Sequence, residues 1–115
     1  MAWEDEFADW WRDLLEDIQE DIVAGVGLLE THGPQLTFPY SSSIETSRHA
    51  HMRELRVQSG GKPIRLFYAF DPRRSAILLI GGDKTGDDRF YETYIPVTDR
   101  LYDEHLEELR KEGLI

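Results

Sequence analysis

The chain has no cysteine, which excludes disulfides, thiolate metal sites and thiol catalysis and agrees with a reducing compartment. No apolar run approaches the roughly 20 residues that a membrane span needs. No charged-then-apolar leader opens the sequence, so the expectation is a soluble, cytoplasmic protein with no membrane partner. There are no internal repeats, low-complexity tracts or linkers, and 115 residues suffice for one core but not two. One domain, residues 1–115, is expected. A hydrophobic fraction of 40%, with three Trp, five Tyr and five Phe, argues for a folded globule. Gly81-Gly82-Asp83-Lys84 lacks the spacing of a phosphate-binding loop, so nucleotide hydrolysis is not supported.

Positive charge is scarce overall, and its placement is uneven. The net charge is −10. Residues 1–46 carry a single Arg against eleven acids, and residues 76–115 carry five basic against ten acidic side chains. Between them, residues 47–75 carry seven Arg or Lys against two acids. A basic segment thus lies between acidic flanks. Either the two neutralise each other at the surface, or the basic segment is a local anion site in a protein that otherwise repels nucleic acid.

The first eleven residues fit an edge strand or a helix. From Asp13 the apolar positions Trp11, Leu14, Leu15, Ile18, Ile22, Val26 and Leu29 recur at helical spacing. His32-Gly33-Pro34 stops that helix. Residues 33–51 read as a long polar connection. Three strand-like runs follow, MRELRVQ, PIRLFYAF and SAILLIGG, joined at Ser59-Gly60-Gly61 and Asp71-Pro72-Arg73-Arg74. A short helical run, DRFYETY, precedes Ile95-Pro96, where Pro suits a new helix start. The order helix, three antiparallel strands, helix gives a two-layer α+β domain.

The middle strands carry the chemistry. With Val57 opposite Ile64, Arg56 faces Arg65 across the ladder, and like charges so placed are destabilising. With Phe70 opposite Ala76, Arg65 also lies opposite Gly81, and Lys84 falls just beyond the same sheet end. Arg73 and Arg74 lie at the other end. Three converging cations suit a phosphodiester, with Arg as a bidentate fork and Lys as a point charge. Tyr91 or Tyr94, from the following helix, can stack on a base, or move a proton if the cations lower its pKa. The plainer alternative is that Glu54, on the same face as Arg56, satisfies that arginine. His49-X-His51 places two imidazoles on one side of an extended segment. Without a third ligand this is a weak metal pattern, and solvent-facing or proton-carrying histidines fit it better. His105 lies on the final helix stripe and reads as packed or capped.

The stretches MRELR, PIRLFYAFDPRR, SAILLIGGDKTG and RFYETYIPVTDRLYDEHLEEL, in that order, resemble the RelE/HigB superfamily of type II toxin–antitoxin toxins. The nearest branch is the phage-derived Gp49-like HigB toxins. The resemblance implies a RelE-like α+β fold, with helices packed on a small twisted antiparallel sheet. It implies a ribosome-dependent endoribonuclease that cuts mRNA through the RNA 2′-hydroxyl, without metal or other cofactor. The partners it implies are a helix-turn-helix antitoxin, the ribosome and mRNA. By position, Arg65, Lys84 and Tyr91 match the family's catalytic residues, and Arg56 or Arg53 its basic position on the preceding strand. The candidate catalytic set is therefore Arg65, Lys84, Tyr91 and Arg56, with Arg53, Glu54, His51 and Tyr94 as candidate substrate-binding residues. Gyrase-poisoning ParE-like toxins share the scaffold. A non-enzymatic module of that kind, or a degenerate antitoxin-binding toxin, is therefore the alternative. The chain departs from its relatives in its acidity and in a short or absent first strand.

Overall fold

The computed structural model describes all 115 residues. A five-stranded sheet in the order β1-β5-β4-β3-β2 forms the middle of the molecule. β1 (Ala2–Trp3) pairs in parallel with β5 (Ala76–Asp83). β2 (Ser41–Ser43), β3 (Arg53–Ser59), β4 (Lys62–Phe70) and β5 form an antiparallel meander. α1 (Asp5–Arg12) and α2 (Glu16–His32) precede the meander, and α3 (Phe90–Lys111) follows it.

Alternation along the strands divides the core. Leu55, Val57, Ile64, Leu66, Tyr68 and Leu78 point toward α1 and α2, where Phe7, Ile22 and Leu29 close over them. Phe67, Ala69, Ile77 and Leu79 point the other way, against Phe90, Ile95, Leu101 and Tyr102 of α3. The fold is α+β as expected, but helices cover both faces of the sheet, giving three layers rather than two. No helix is long and apolar enough to cross a membrane.

The β3–β4 hairpin turns on Gly60 and Gly61, whose φ values of 57° and 79° suit a two-residue turn matching the strand twist. Val57 opposes Ile64 and Arg56 opposes Arg65, the register expected from the sequence. The next hairpin departs from simple register. Phe70 does oppose Ala76, but Tyr68 pairs with Leu78 while Phe67 pairs with Ile80, so Leu79 is an extra residue. This bulge moves the partner of Arg65 from Gly81 to Gly82. It also turns Leu79 and Ile80 both toward α3.

Three other elements differ from expectation. The N-terminal apolar stripe spans two helices, broken at Asp13–Leu15. The break is closed by the Gln19 side chain, whose Nε2 donates to Trp11 O at 2.8 Å. It lets α1 lie along β5 while α2 lies along β3. The polar connection contains a 3-10 turn at Gly33–Gln35 and the edge strand β2. Pro96 starts no new helix: α3 runs through it. Phe90 and Ile95 before Pro96, and Leu101 and Tyr102 after it, bury on one sheet face, which holds the two halves in line.

Candidate active site

Even-numbered residues of β3 and odd-numbered residues of β4 face α3. That parity places Glu54 and Arg56 beside Arg65, and the bulge keeps Gly82 on the same face. Lys84 N extends the ladder by donating to Pro63 O at 2.9 Å, which sets Lys84 at this sheet end. From above, the N-terminal end of α3 contributes Tyr91 and Tyr94.

Glu54 is the centre of the cluster. Its Oε1 accepts the Tyr91 hydroxyl at 2.7 Å and lies 3.3 Å from Arg65 Nε. Its Oε2 accepts the Ser42 hydroxyl at 2.9 Å, with Arg56 Nη1 at 4.0 Å. The anion between the facing arginines is thus the protein's own carboxylate. The Glu54 and Arg65 side chains are each only 6% exposed. Arg65 is buried beneath α3. Its Nη1 donates to Ile64 O at 3.1 Å. Its Nε is close to Glu54 for an ion pair but not aligned for a hydrogen bond, so this buried donor is unsatisfied.

Arg56 and Lys84 reach outward from this buried pair. Arg56 is partly exposed, and its guanidinium carbon lies 5.2 Å from the centre of the Phe38 ring. Lys84 Nζ lies 5.2 Å from the centre of the Tyr91 ring. Asp83 does not pair with Lys84; its Oδ1 accepts the Thr85 amide at 2.9 Å and hydroxyl at 2.6 Å, closing the turn.

Tyr91 does not have the lowered pKa that nearby cations suggested. Burial pushes its hydroxyl above the usual 10.0, and the hydrogen bond and negative charge of Glu54 add to that. Arg65 opposes the shift without reversing it. Tyr91 therefore keeps its hydroxyl hydrogen, which it donates to Glu54. Tyr94 packs on Phe67, with ring centres 6.0 Å apart and planes 17° from parallel. It lies so close over Gly82 that a Cβ there would stand 2.7 Å from its Cζ. Glycine at 82 lets α3 settle directly onto the strand.

Two residues named with this group lie apart from it. Arg53 faces the opposite side of the sheet, where Nε donates to Ser41 Oγ and Nη1 to Ser43 Oγ, both at 2.9 Å. His51 is exposed, in a turn rather than an extended segment. Its neighbour His49 is tied to α3, with Nε2 2.8 Å from Asp103 Oδ1 and its ring edge-on to Tyr102. No three His, Asp or Glu side chains converge in a geometry that could hold a metal ion. His105 is packed between two carboxylates, 3.0 Å from Asp71 Oδ2 and 3.3 Å from Glu4 Oε1.

Sequence reading missed Ser42 and Phe38. A strand flanking Glu54 could have suggested the first, and an aromatic inside a polar loop the second. Two depressions lie elsewhere. One of about 670 Å³ is lined by Trp3, Phe7, Trp11, Ile22 and Val26, among others, on the far side of the sheet. Glu54 and its partners line neither of them. Arg56 and Lys84 form a partly exposed edge over the buried Glu54–Arg65 pair.

The phage-derived Gp49-like protein family matches residues 9–103. The chain is 40% identical over 92 residues to "Putative toxin HigB3" of Mycobacterium tuberculosis (strain ATCC 25618 / H37Rv), covering 79% of each protein. It is 37% identical over 99 residues to "Putative toxin HigB2" of the same organism, covering 84% of this chain and about half, 49%, of that protein. No solved structure gives a significant match. The matched segment contains the whole meander and both flanking tyrosines, and so the chain belongs to the Gp49-like family of HigB-type toxins of toxin–antitoxin systems.

Proposed function

We propose that this toxin is an endoribonuclease that cuts mRNA on the ribosome, using the cluster around Glu54, and that an antitoxin with a helix-turn-helix DNA-binding domain neutralises it. The observation that carries the reading is the 2.7 Å hydrogen bond between Tyr91 and Glu54, set beside three cations at one sheet end. Proton acceptor, proton donor and charge stabilisation are all present there, the set that RNA transesterification needs.

In this reading the RNA 2′-oxygen attacks the adjacent phosphorus, the P–O5′ bond breaks, and a 2′,3′-cyclic phosphate forms. Glu54 accepts the 2′ proton. Tyr91, neutral at physiological pH, gives its proton to the departing 5′-oxygen and is recharged from Glu54 along their hydrogen bond. Arg56 and Lys84 supply positive charge to the non-bridging oxygens. Arg65, buried, holds Glu54 in position through the ion pair at its Nε. Tyr94 fixes the α3 terminus that carries Tyr91.

The test is expression in bacteria with mapping of mRNA 5′ ends. Codon-phased cuts in translated messages, lost in Lys84→Ala and Tyr91→Phe, are the expected result. Intact messages accompanied by DNA breaks would replace this reading with gyrase poisoning on the same scaffold.

A further inference from the structure

Of the five phenylalanines, Phe7, Phe67 and Phe90 are buried, Phe70 is partly buried, and Phe38 is 71% exposed. An exposed aromatic is ordinary when nothing fixes it, but Phe38 is held in place. The chain turns tightly around it: the amides of Tyr40 and Ser41 donate to Thr37 O at 3.0 and 3.1 Å. The turn is anchored to β3, since Arg56 N donates to Tyr40 O at 2.8 Å. One side of the ring meets the Arg56 guanidinium, 5.2 Å from the ring centre. The same guanidinium stands 4.0 Å from Glu54 Oε2. Arg56 therefore bridges an ordered, solvent-facing aromatic ring and the proposed reaction centre.

We infer that Phe38 is a stacking platform for an unpaired nucleobase adjoining the phosphate bound at Arg56. This inference rests on reading the Glu54 cluster as an RNA site. Single-stranded RNA is recognised by laying unstacked bases on aromatic rings and arginine planes beside cations that track the backbone. Phe38 and Arg56 supply that pair of contacts next to each other. Tyr40, half exposed on the same turn, is the neighbouring ring. Stacking tolerates any base because every base has a flat π face, so the platform positions the strand and leaves choice of sequence to other contacts. It acts on binding and contributes no proton to the chemistry, which makes Phe38 a positioning residue.

The experiment titrates the native chain, Phe38→Ala and Phe38→Trp with a ten-nucleotide single-stranded RNA, each in a Tyr91→Phe background that prevents cleavage. The expected result is a loss of affinity on the order of tenfold for Phe38→Ala, the usual weight of one stacked base. Phe38→Trp should keep native affinity, and its emission, after subtraction of the chain containing only the three native tryptophans, should be quenched at saturation. The thermal midpoint of Phe38→Ala should stay at the native value, because the ring buries little. Equal affinity of Phe38→Ala and native chain, an unquenched Trp at 38, or no RNA binding at all would overturn the platform. In cells, message cleavage that Phe38→Ala leaves unchanged in rate and position overturns the platform while the nuclease reading stands. RNA quenching of Phe38→Trp with messages left intact does the reverse.

Discussion

Glu54 of β3 and Arg65 of β4 meet diagonally across the ladder as a buried ion pair, with Oε1 and Nε 3.3 Å apart and both side chains 6% exposed. Such a pair is costly to bury and costlier to break, because either partner alone leaves an uncompensated charge inside the protein.

Arg65→Ala should therefore destabilise the fold, by about 3–5 kcal/mol. Lys84→Ala removes a surface contact with Tyr91 and should change stability by no more than about 0.5 kcal/mol. Both should relieve growth arrest, for different reasons. Urea denaturation separates them, and a native midpoint for Arg65→Ala would show that the pair does not hold the site together.

Tyr91 should stay protonated beyond pH 10.0, since burial and then Glu54 both favour its neutral form. With a folded pKa above the unfolded one, its contribution to stability is full below about pH 10 and declines as pH rises through the folded pKa. Ultraviolet titration of the native chain against Tyr91→Phe should show one phenol ionising late. An early-ionising phenol in that difference spectrum would contradict the hydrogen bond to Glu54.

Asp71 should work in the opposite direction. Burial raises its pKa, but hydrogen bonds from His105, from Arg73 and from the amides of Ser75 and Arg73 outweigh that and hold it below 3.8. The stability it contributes is present above that value and is lost as pH falls through the folded pKa. Asp71→Asn should cost about 1–3 kcal/mol at neutral pH and flatten the acid limb of the stability curve below pH 4. An acid limb as steep as the native one would assign acid unfolding to other carboxylates.

Gly81→Ala should destabilise by about 1–3 kcal/mol through overpacking, because its Cβ would stand 2.3 Å from the Trp10 ring and force α1 off β5. Gly82→Ala meets Tyr94 and Phe90 instead, with Tyr94 Cζ at 2.7 Å. It should displace the first turn of α3 and with it Tyr91, impairing activity beyond what its stability loss accounts for. Thermal midpoints of the two variants, compared with growth arrest, distinguish the two faces. Equal toxicity of Gly82→Ala and the native chain would detach Tyr91 from the site.

Local rules were enough to read part of this molecule from its sequence. The Gly60-Gly61 turn and strict two-residue alternation determine the β3–β4 register, and so the meeting of Arg56 with Arg65. The same parity separates Arg53 from Glu54 and Arg56. Gly33 and Pro34 end α2 wherever it packs. Other features needed the assembled fold, because they answer to contacts distant in sequence. The bulge at Leu79 slides Gly82 beside Arg65 and turns Leu79 and Ile80 together toward α3. The burial of Phe90 through Tyr102 carries a helix across Pro96. The covering by α3 buries Arg65 and raises the Tyr91 pKa, reversing what cations alone would do. Sequence placed Glu54 on the face of Arg56 as one possible partner, but only tertiary packing buried it against Arg65 and Tyr91, since that depends on strands and helix closing over it together.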